Sequence, residues 1–148
     1  MTSNENSASL SLFEFVVLMA LLSSFAAFSI DAILPALPQI GEELNVADPN
    51  DVQLIVSMIM LGLGFGQLLY GPLCDSWGRK PTLYAGISVF IAGSLICMNA
   101  DNLTWMLIGR ITQGFGLGST RVVSAALIRD TYSGRHMSRV MSFIMMVF

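Results

Sequence analysis

The chain has 148 residues, of which 54% are hydrophobic and only 11% are charged. Soluble globular domains carry about 25% charged residues, and a water-soluble chain of this length could not cover so much apolar surface. The composition therefore predicts a protein whose solvent is the lipid bilayer. The net charge of −3 comes without a basic tract or interleaved aromatic and basic residues, which excludes nucleic acid as a partner.

Four long apolar runs dominate the sequence, at residues 12–34, 52–73, 82–98 and 103–128. Each is close to the ~20 residues that a helix needs to cross a 30 Å hydrocarbon core. A single segment in lipid satisfies its backbone groups only as a helix. We therefore expect an all-α membrane protein in which residues 12–148 form part of a helical bundle.

A fifth apolar run begins near Met137 and continues to the last residue. Because Val140–Phe148 is too short to span a bilayer, we expect the sequence to stop partway through a fifth helix of a longer chain. A four-helix protein with a hydrophobic tail is the alternative. Residues 1–11 contain no Lys or Arg, and the run after them is longer than the 7–15 residues of a signal-peptide core. This predicts a retained first helix preceded by a short tail.

The breaks between the runs contain residues that end or begin helices. Pro35 follows the first run, and Asp48-Pro49 matches an N-cap followed by proline at the first helical position. Either Asp101 or Asn102 can cap the fourth helix.

Basic residues alternate between the connecting segments. Segments 74–81 and 129–139 hold five Lys and Arg residues, whereas segments 35–51 and 99–102 hold none. Cytoplasmic loops carry an excess of Lys and Arg, so the first two segments are predicted to be cytoplasmic and the other two external. Because two spans separate one cytoplasmic segment from the next, the N-terminal tail, residues 1–11, is predicted to be cytoplasmic as well.

Cys74 lies just past the second apolar run, and Cys97 lies near the far end of the third, on the opposite predicted face of the membrane. About 25 Å of helix rise separates them, well beyond the ~7 Å limit between the Cα atoms of a disulfide. We predict free thiols. His136 is the only histidine and has no partner pattern, so no metal site is expected.

Glycines recur in the second and fourth runs, and nucleotide binding has to be considered. Neither set completes G-x-G-x-x-G, no G-K-[ST] occurs, and no strand precedes them. The spacing instead predicts close helix packing at two small-x-x-x-small pairs, Gly62 with Gly66 and Gly114 with Gly118.

Residues 71–83 read GPLCDSWGRKPTL. This segment is similar to the signature cytoplasmic loop of the major facilitator superfamily, G-x-L-a-D-r-x-G-r-k-x-x-l. The matching positions are Gly71, Leu73, Asp75, Gly78, Arg79, Lys80 and Leu83. Ser76 departs from the usual basic residue, which removes one charge contact.

Two further segments resemble the same family. Residues 107–116, LIGRITQGFG, are similar to the fourth-helix motif of its proton-coupled antiporters, built around Arg110 and the Gln113-Gly114 pair. Residues 31–38, DAILPALP, resemble the first-helix acidic motif of the Bcr/CflA drug:proton antiporters, and Arg129-Asp130 also fits that group.

The resemblance implies a twelve-helix fold made of two six-helix bundles in a bacterial inner membrane. It implies export of small hydrophobic or amphipathic compounds in exchange for protons, with the proton gradient as the energy source and no cofactor. This chain would supply the first four or five helices, and its partners would be substrate, protons, lipid and the C-terminal half of the transporter. Asp75, Arg79 and Asp130 would form a charge cluster that closes the cytoplasmic side; a solvated loop that only sets topology is the simpler alternative.

The intramembrane charges can also be interpreted without the family. Asp31 lies about 6 Å from the outer end of the first span, and Arg110 lies about 10 Å inside the outer end of the fourth. Each charge isolated in lipid costs at least ~2.5–3.5 kcal/mol. Facing a shared cavity they could pair, so that protonation of Asp31 is coupled to the contacts of Arg110. The alternative is that both side chains reach the outer interface and have no role.

Three functions compete with this interpretation, and two of them remain open. A membrane-embedded hydrolase needs a catalytic grouping, and no Ser/His/Asp or His-rich set has two members on one predicted side, so we expect no enzyme. A small self-contained exporter working as an oligomer and a major facilitator carrier of a non-drug metabolite stay open, because these helices do not name a substrate.

Overall fold

The computed structural model describes residues 12–131 together with Ser138 and Ser142. Within them lie five α-helices: α1 (Leu12–Asp31), α2 (Leu37–Glu43), α3 (Leu54–Trp77), α4 (Arg79–Met98) and α5 (Leu103–Thr131). The described residues contain no strand, and the predicted all-α class is confirmed. The run predicted to begin near Met137 lies outside the described residues.

The first apolar run continues farther than the sequence indicated. α1 ends at Asp31, but a short 3-10 turn at Leu34–Ala36 leads directly into α2. Pro35 lies in that turn, where the Ala36 N–H donates to the Ile33 carbonyl at 3.0 Å. Proline therefore changes the helix type and direction, because it lacks an N–H donor, without ending the helical path.

The two predicted N-caps have different outcomes. The Asp48 carboxylate accepts a hydrogen bond from the Asn50 N–H at 2.9 Å, but a 3-10 turn at Asp51–Gln53 intervenes before α3 begins. Asp48 thus closes the preceding turn and does not cap α3, and that prediction was wrong. At α5, Asn102 accepts from the Trp105 N–H at 3.0 Å, so Asn102 is the cap of the two candidates.

Three helical stretches of the described residues are long and apolar enough to cross a membrane: Glu14–Glu43, Asp51–Trp77 and Arg79–Met98. α5 is not one of them, although its 29 residues give about 43 Å of rise. The reason is its position. α5 is the helix against which α3, α4 and α1 all pack, and it buries polar side chains such as Ser119, Thr120 and Ser124.

Glycines bring the backbones of α3 and α5 into contact. A Cβ added to Gly118 would lie 2.7 Å from the carbonyl carbon of Gly66, and one added to Gly62 would lie 2.9 Å from the Phe115 nitrogen. At Gly114 the nearest atoms belong to the Ile59 backbone. The Gly62/Gly66 and Gly114/Gly118 pairs thus lie where the two helices touch, in the manner of small-x-x-x-small packing.

A second glycine contact, between α4 and α5, was not anticipated from the sequence. A Cβ on Gly93 would lie 2.8 Å from the Gln113 Cα, and one on Gly116 would lie 2.6 Å from the Gly86 carbonyl oxygen. Gly109 likewise faces α4, with the Cys97 nitrogen 3.0 Å from its added Cβ. Gly86 and Gly93, like Gly109 and Gly116, are seven residues apart, two helical turns on one face, and this spacing is the signal that was missed.

α1 covers the same central helix from a third side. Met19 packs in one buried cluster with Ile128, and Ala26 in another with Ile59 and Leu117. The rings of Phe25 and Phe90 lie 5.0 Å apart at a tilted angle, a favourable aromatic geometry. α1 therefore adds apolar side-chain packing to a core built by backbone contact.

The two cysteines are unpaired, as predicted. Cys74 is buried near the end of α3, and Cys97 is half-buried near the end of α4. Cys74 packs in a cluster with Val123 and Ala126 of α5.

The glycine contacts predict opposite effects of one substitution at two positions. Gly118→Ala should destabilise the chain by about 1–3 kcal/mol, because its Cβ enters the backbone of α3 and overpacked cores lose stability by that amount. Gly64→Ala should be neutral or stabilising by up to about 1 kcal/mol, since no atom lies within 4 Å of its added Cβ and alanine favours helix. Thermal unfolding in detergent micelles measures both, and an equal effect at the two sites would contradict the packing argument.

Candidate functional site

A sharp turn joins α3 to α4 and places Arg79 beside the end of α3. Gly78 closes α3 with φ +91° and ψ 170°, a conformation that a residue with a side chain adopts only with strain. The buried Thr82 hydroxyl donates to the Gly78 carbonyl at 2.8 Å. The backbone conformation of Gly78 and the hydrogen bond from Thr82 together define the turn, and Arg79 is the first residue of α4.

Arg79 ties three helices together. Its Nε donates to Oδ2 of Asp130 at 2.8 Å and its Nη2 to Oδ1 at 3.2 Å, which makes a two-point contact with the end of α5. Its Nη1 donates to Oδ1 of Asp75 at 3.2 Å and to the Cys74 carbonyl at 2.8 Å. We call Asp75, Arg79 and Asp130 the Arg79 cluster.

This contact also affects the pKa of Asp130. The hydrogen bond from Arg79 lowers the pKa of the Asp130 carboxyl below its ordinary value. Because the pKa is lowered in the folded protein, the pairing contributes to folding stability at neutral pH. That contribution is lost only as the pH falls through the lowered value. The side chains of Arg79 and Asp130 are 28% and 50% exposed, so solvent screens their electrostatic attraction. The pair therefore acts mainly by orienting the two helix ends through its two-point hydrogen bonding.

Two other residues of the matched loop make fewer contacts. Lys80 is exposed and forms no ion pair among the described residues. A Cβ added to Gly71 would meet nothing within 4 Å, so nothing in the described part of the chain requires glycine there.

Arg110 lies on the central helix in a second polar group. Its Nη1 donates to Oε1 of Gln113 at 2.9 Å, and Nε2 of Gln113 donates to the Ser94 hydroxyl of α4 at 2.9 Å. Gln113 is only 9% exposed. The Arg110 Nε is buried and has no hydrogen-bond partner among the residues that the structure describes. We call Arg110, Gln113 and Ser94 the Arg110 relay; Ser94 was not singled out from the sequence.

The structure does not pair Asp31 with Arg110. Asp31 is the exposed last residue of α1, and no salt bridge within 4.0 Å joins it to Arg110 in the described part of the chain. The similar depths that suggested a pair fix position along the membrane normal only. Arg110 is instead held by Gln113, one turn along its own helix.

No group of three or more His, Cys, Asp and Glu residues that could hold a metal occurs among the described residues. His136, for which no metal role was predicted, lies outside them.

Long apolar helices that enclose buried polar groups on a central helix are typical of a multi-pass membrane protein. A sequence model of the Major Facilitator Superfamily matches residues 19–148. The chain belongs to this family, whose members are transporters, and the family predicted from the sequence motifs is confirmed.

Curated relatives refine the comparison. The chain is 36% identical over 138 residues to a bicyclomycin resistance protein homolog of Haemophilus influenzae, covering 93% of this chain and 34% of the relative. It is 35% identical over 130 residues to an uncharacterized MFS-type transporter of Bacillus subtilis, covering 88% of this chain and 32% of the relative. A multidrug resistance protein of Klebsiella pneumoniae is 34% identical over 115 residues, covering 78% of this chain and 29% of the relative. The chain thus spans about a third of the length of these relatives.

The Arg79 cluster makes Cys74 a built-in reporter of its integrity. The Cys74 side chain is 1% exposed, and Arg79 holds its carbonyl and lies 3.7 Å from its sulfur. In a Cys97→Ala background, Asp130→Asn and Arg79→Lys should raise the rate of maleimide labelling at Cys74 several-fold, because each removes the two-point contact with α5.

Lys80→Gln is the matched control, since it removes a neighbouring positive charge that forms no ion pair among the described residues. Its labelling rate should equal that of the parent. Equal rates in all four chains would mean that the cluster does not hold these helix ends together.

Proposed function

We propose that this chain belongs to a proton-coupled exporter of small hydrophobic or amphipathic compounds in a bacterial inner membrane. The observation that carries the proposal is the state of Arg110, a cation on the central helix that donates a hydrogen bond to the neutral Gln113 and forms no salt bridge within the described part of the chain. Names of relatives support the substrate class, since two of them are a bicyclomycin resistance homolog and a multidrug resistance protein.

A cation in this position suits proton coupling. An ionised side chain within a membrane helix is costly unless it is paired or faces water, and the buried Arg110 Nε still lacks an acceptor. A deprotonated carboxylate would supply one, whereas a protonated carboxyl would attract Arg110 far less. Proton binding therefore changes the free energy of the state in which the two groups are paired, and a proton gradient can bias the conformational equilibrium.

Asp31 is the carboxylate that we assign to this role. It is exposed at the end of α1 and forms no ion pair among the described residues, so its carboxylate is not already committed to a fixed basic partner there. A carrier that opens alternately to the two sides would bring such a group to the outside to bind a proton and to the inside to release it.

We assign a gating role to the Arg79 cluster. Arg79 bonds to the ends of α3 and α5 through three of its nitrogens, and the Asp75 side chain is 80% exposed. This leaves an open carboxylate oxygen at the surface while the arginine holds three helix ends in register. A partner surface that approaches Asp75 in one conformation and leaves it in the other would switch the closed side.

The membrane arrangement forms part of the proposal. α5 is placed as a fourth span, because α1, α3 and α4 shield its polar face and its length is sufficient. A reporter active only outside the membrane should then respond when fused at Glu43 and Asp101 and stay silent at Lys80 and Gly134. The reversed pattern would overturn the cytoplasmic placement of the N-terminus and of the Arg79 cluster.

Transport itself tests the coupling. In the full-length transporter, Asp31→Asn and Arg110→Gln should each reduce proton-driven drug export more than tenfold, since each removes one member of the charge exchange. Asp51→Asn is the control, because Asp51 is another exposed carboxylate, in the connecting segment on the same predicted outer side, and should retain parental export. Everted vesicles with a pH-sensitive dye measure substrate-linked proton flux, and parental flux from the Asp31 variant would remove Asp31 from the mechanism.

A further inference from the structure

We propose that Ser94 is a positioning residue for Arg110, acting through the side-chain amide of Gln113. The inference rests on the proposed function only for the role of Arg110 in proton coupling. The structural claim, that Ser94 decides which face of the Gln113 amide is presented to Arg110, stands independently of what the transporter carries.

The direction of each hydrogen bond leads to this inference. The Ser94 hydroxyl donates its single proton to the Phe90 carbonyl at 2.9 Å, so toward Gln113 it is available as an acceptor. It therefore selects the NH2 end of the amide, which lies 2.9 Å away. The oxygen end is then left to face the guanidinium of Arg110, which offers donors only.

The backbone approach makes this contact possible. Gly93 precedes Ser94, and a Cβ at Gly93 would lie 2.8 Å from the Gln113 Cα and 2.9 Å from the Gly109 oxygen. The hydroxyl of a short side chain can reach α5 only where the helices are this close. Because Gln113 is 9% exposed, bulk water has little access to replace the hydroxyl.

Ser88 shows that the contact is particular to Ser94. Ser88 lies on the same helix and donates to the Tyr84 carbonyl at 2.9 Å, the same bond to the fourth preceding residue. Its side chain is exposed and forms no other hydrogen bond within the described part of the chain. The bond within the helix therefore does not account for Ser94, whose additional contact crosses to α5.

Removal of the hydroxyl should release the amide. With alanine at position 94, Nε2 of Gln113 has lost its acceptor, and a half-turn of the amide would direct an NH2 group at the guanidinium. Two donors facing each other repel, so Arg110 would be held less firmly. Threonine keeps a hydroxyl that can form the same bond to the fourth preceding carbonyl, so Ser94→Thr should preserve the relay.

The experiment compares Ser94→Ala, Ser94→Thr and Ser88→Ala in the full-length transporter. The first readout is the side-chain ¹⁵N signal of Arg110 in arginine-labelled protein, assigned by its loss in Arg110→Lys. We expect Ser94→Ala alone to shift this signal and speed its Nε–H exchange. The second readout is export driven by an imposed proton gradient, which should fall about fivefold in Ser94→Ala, the ratio that one neutral hydrogen bond is worth, and be restored in Ser94→Thr.

The two readouts separate the two claims. An Arg110 signal that is the same in Ser94→Ala and Ser88→Ala overturns the inference, whatever the transport result. A shifted signal with parental export overturns the positioning role. A shifted signal in a transporter whose parent shows no proton-driven export supports the relay and overturns the proposed function.

Discussion

Backbone contact between α5 and its neighbours is the constraint on which both polar groups depend. In lipid the hydrophobic effect does not drive helices together, so association depends on close packing and hydrogen bonds. Gly114 and Gly118 bring α5 against α3, and Gly109 and Gly116 bring it against α4. One helix thus presents glycine to two partners, which explains why α5 is the most enclosed of the four long helices and needs the least apolar surface.

The α4–α5 pair is held at three levels along its length. Ser94 meets Gln113 in one half, Gly86 approaches Gly116 near the middle, and Arg79 binds Asp130 at the far end. Since Arg79 also holds the Cys74 carbonyl of α3, these contacts favour movement of α3, α4 and α5 as one body. α1 packs against this body through apolar side chains such as Met19 and Ala26.

The sequence was informative where chemistry is local and weak where two helices must be placed around each other. The loop pattern indicated Asp75 and Arg79, and the family resemblance added Asp130; the structure brings these three into contact, with a turn at Gly78 that places Arg79 beside the end of α3. Ser94 was missed because a serine in an apolar run has no periodic signature. Asp31 and Arg110 were expected to be able to pair because their depths agree, but depth along a helix leaves its rotation undetermined.

Asp31 and Arg110, which form no salt bridge within the described ranges, have a common significance. Arg110 keeps a buried Nε without an acceptor, and Asp31 keeps an exposed carboxylate. Had the fold satisfied both with one fixed, buried salt bridge, removing either partner's charge would be strongly unfavourable, and protonation of the carboxylate would be opposed by the same amount. A cation held by a neutral amide avoids that trap, because Gln113 orients Arg110 without neutralising it. The relay can therefore hold the guanidinium in place while leaving its charge available to a group whose protonation changes, which is the property that a proton-coupled carrier requires.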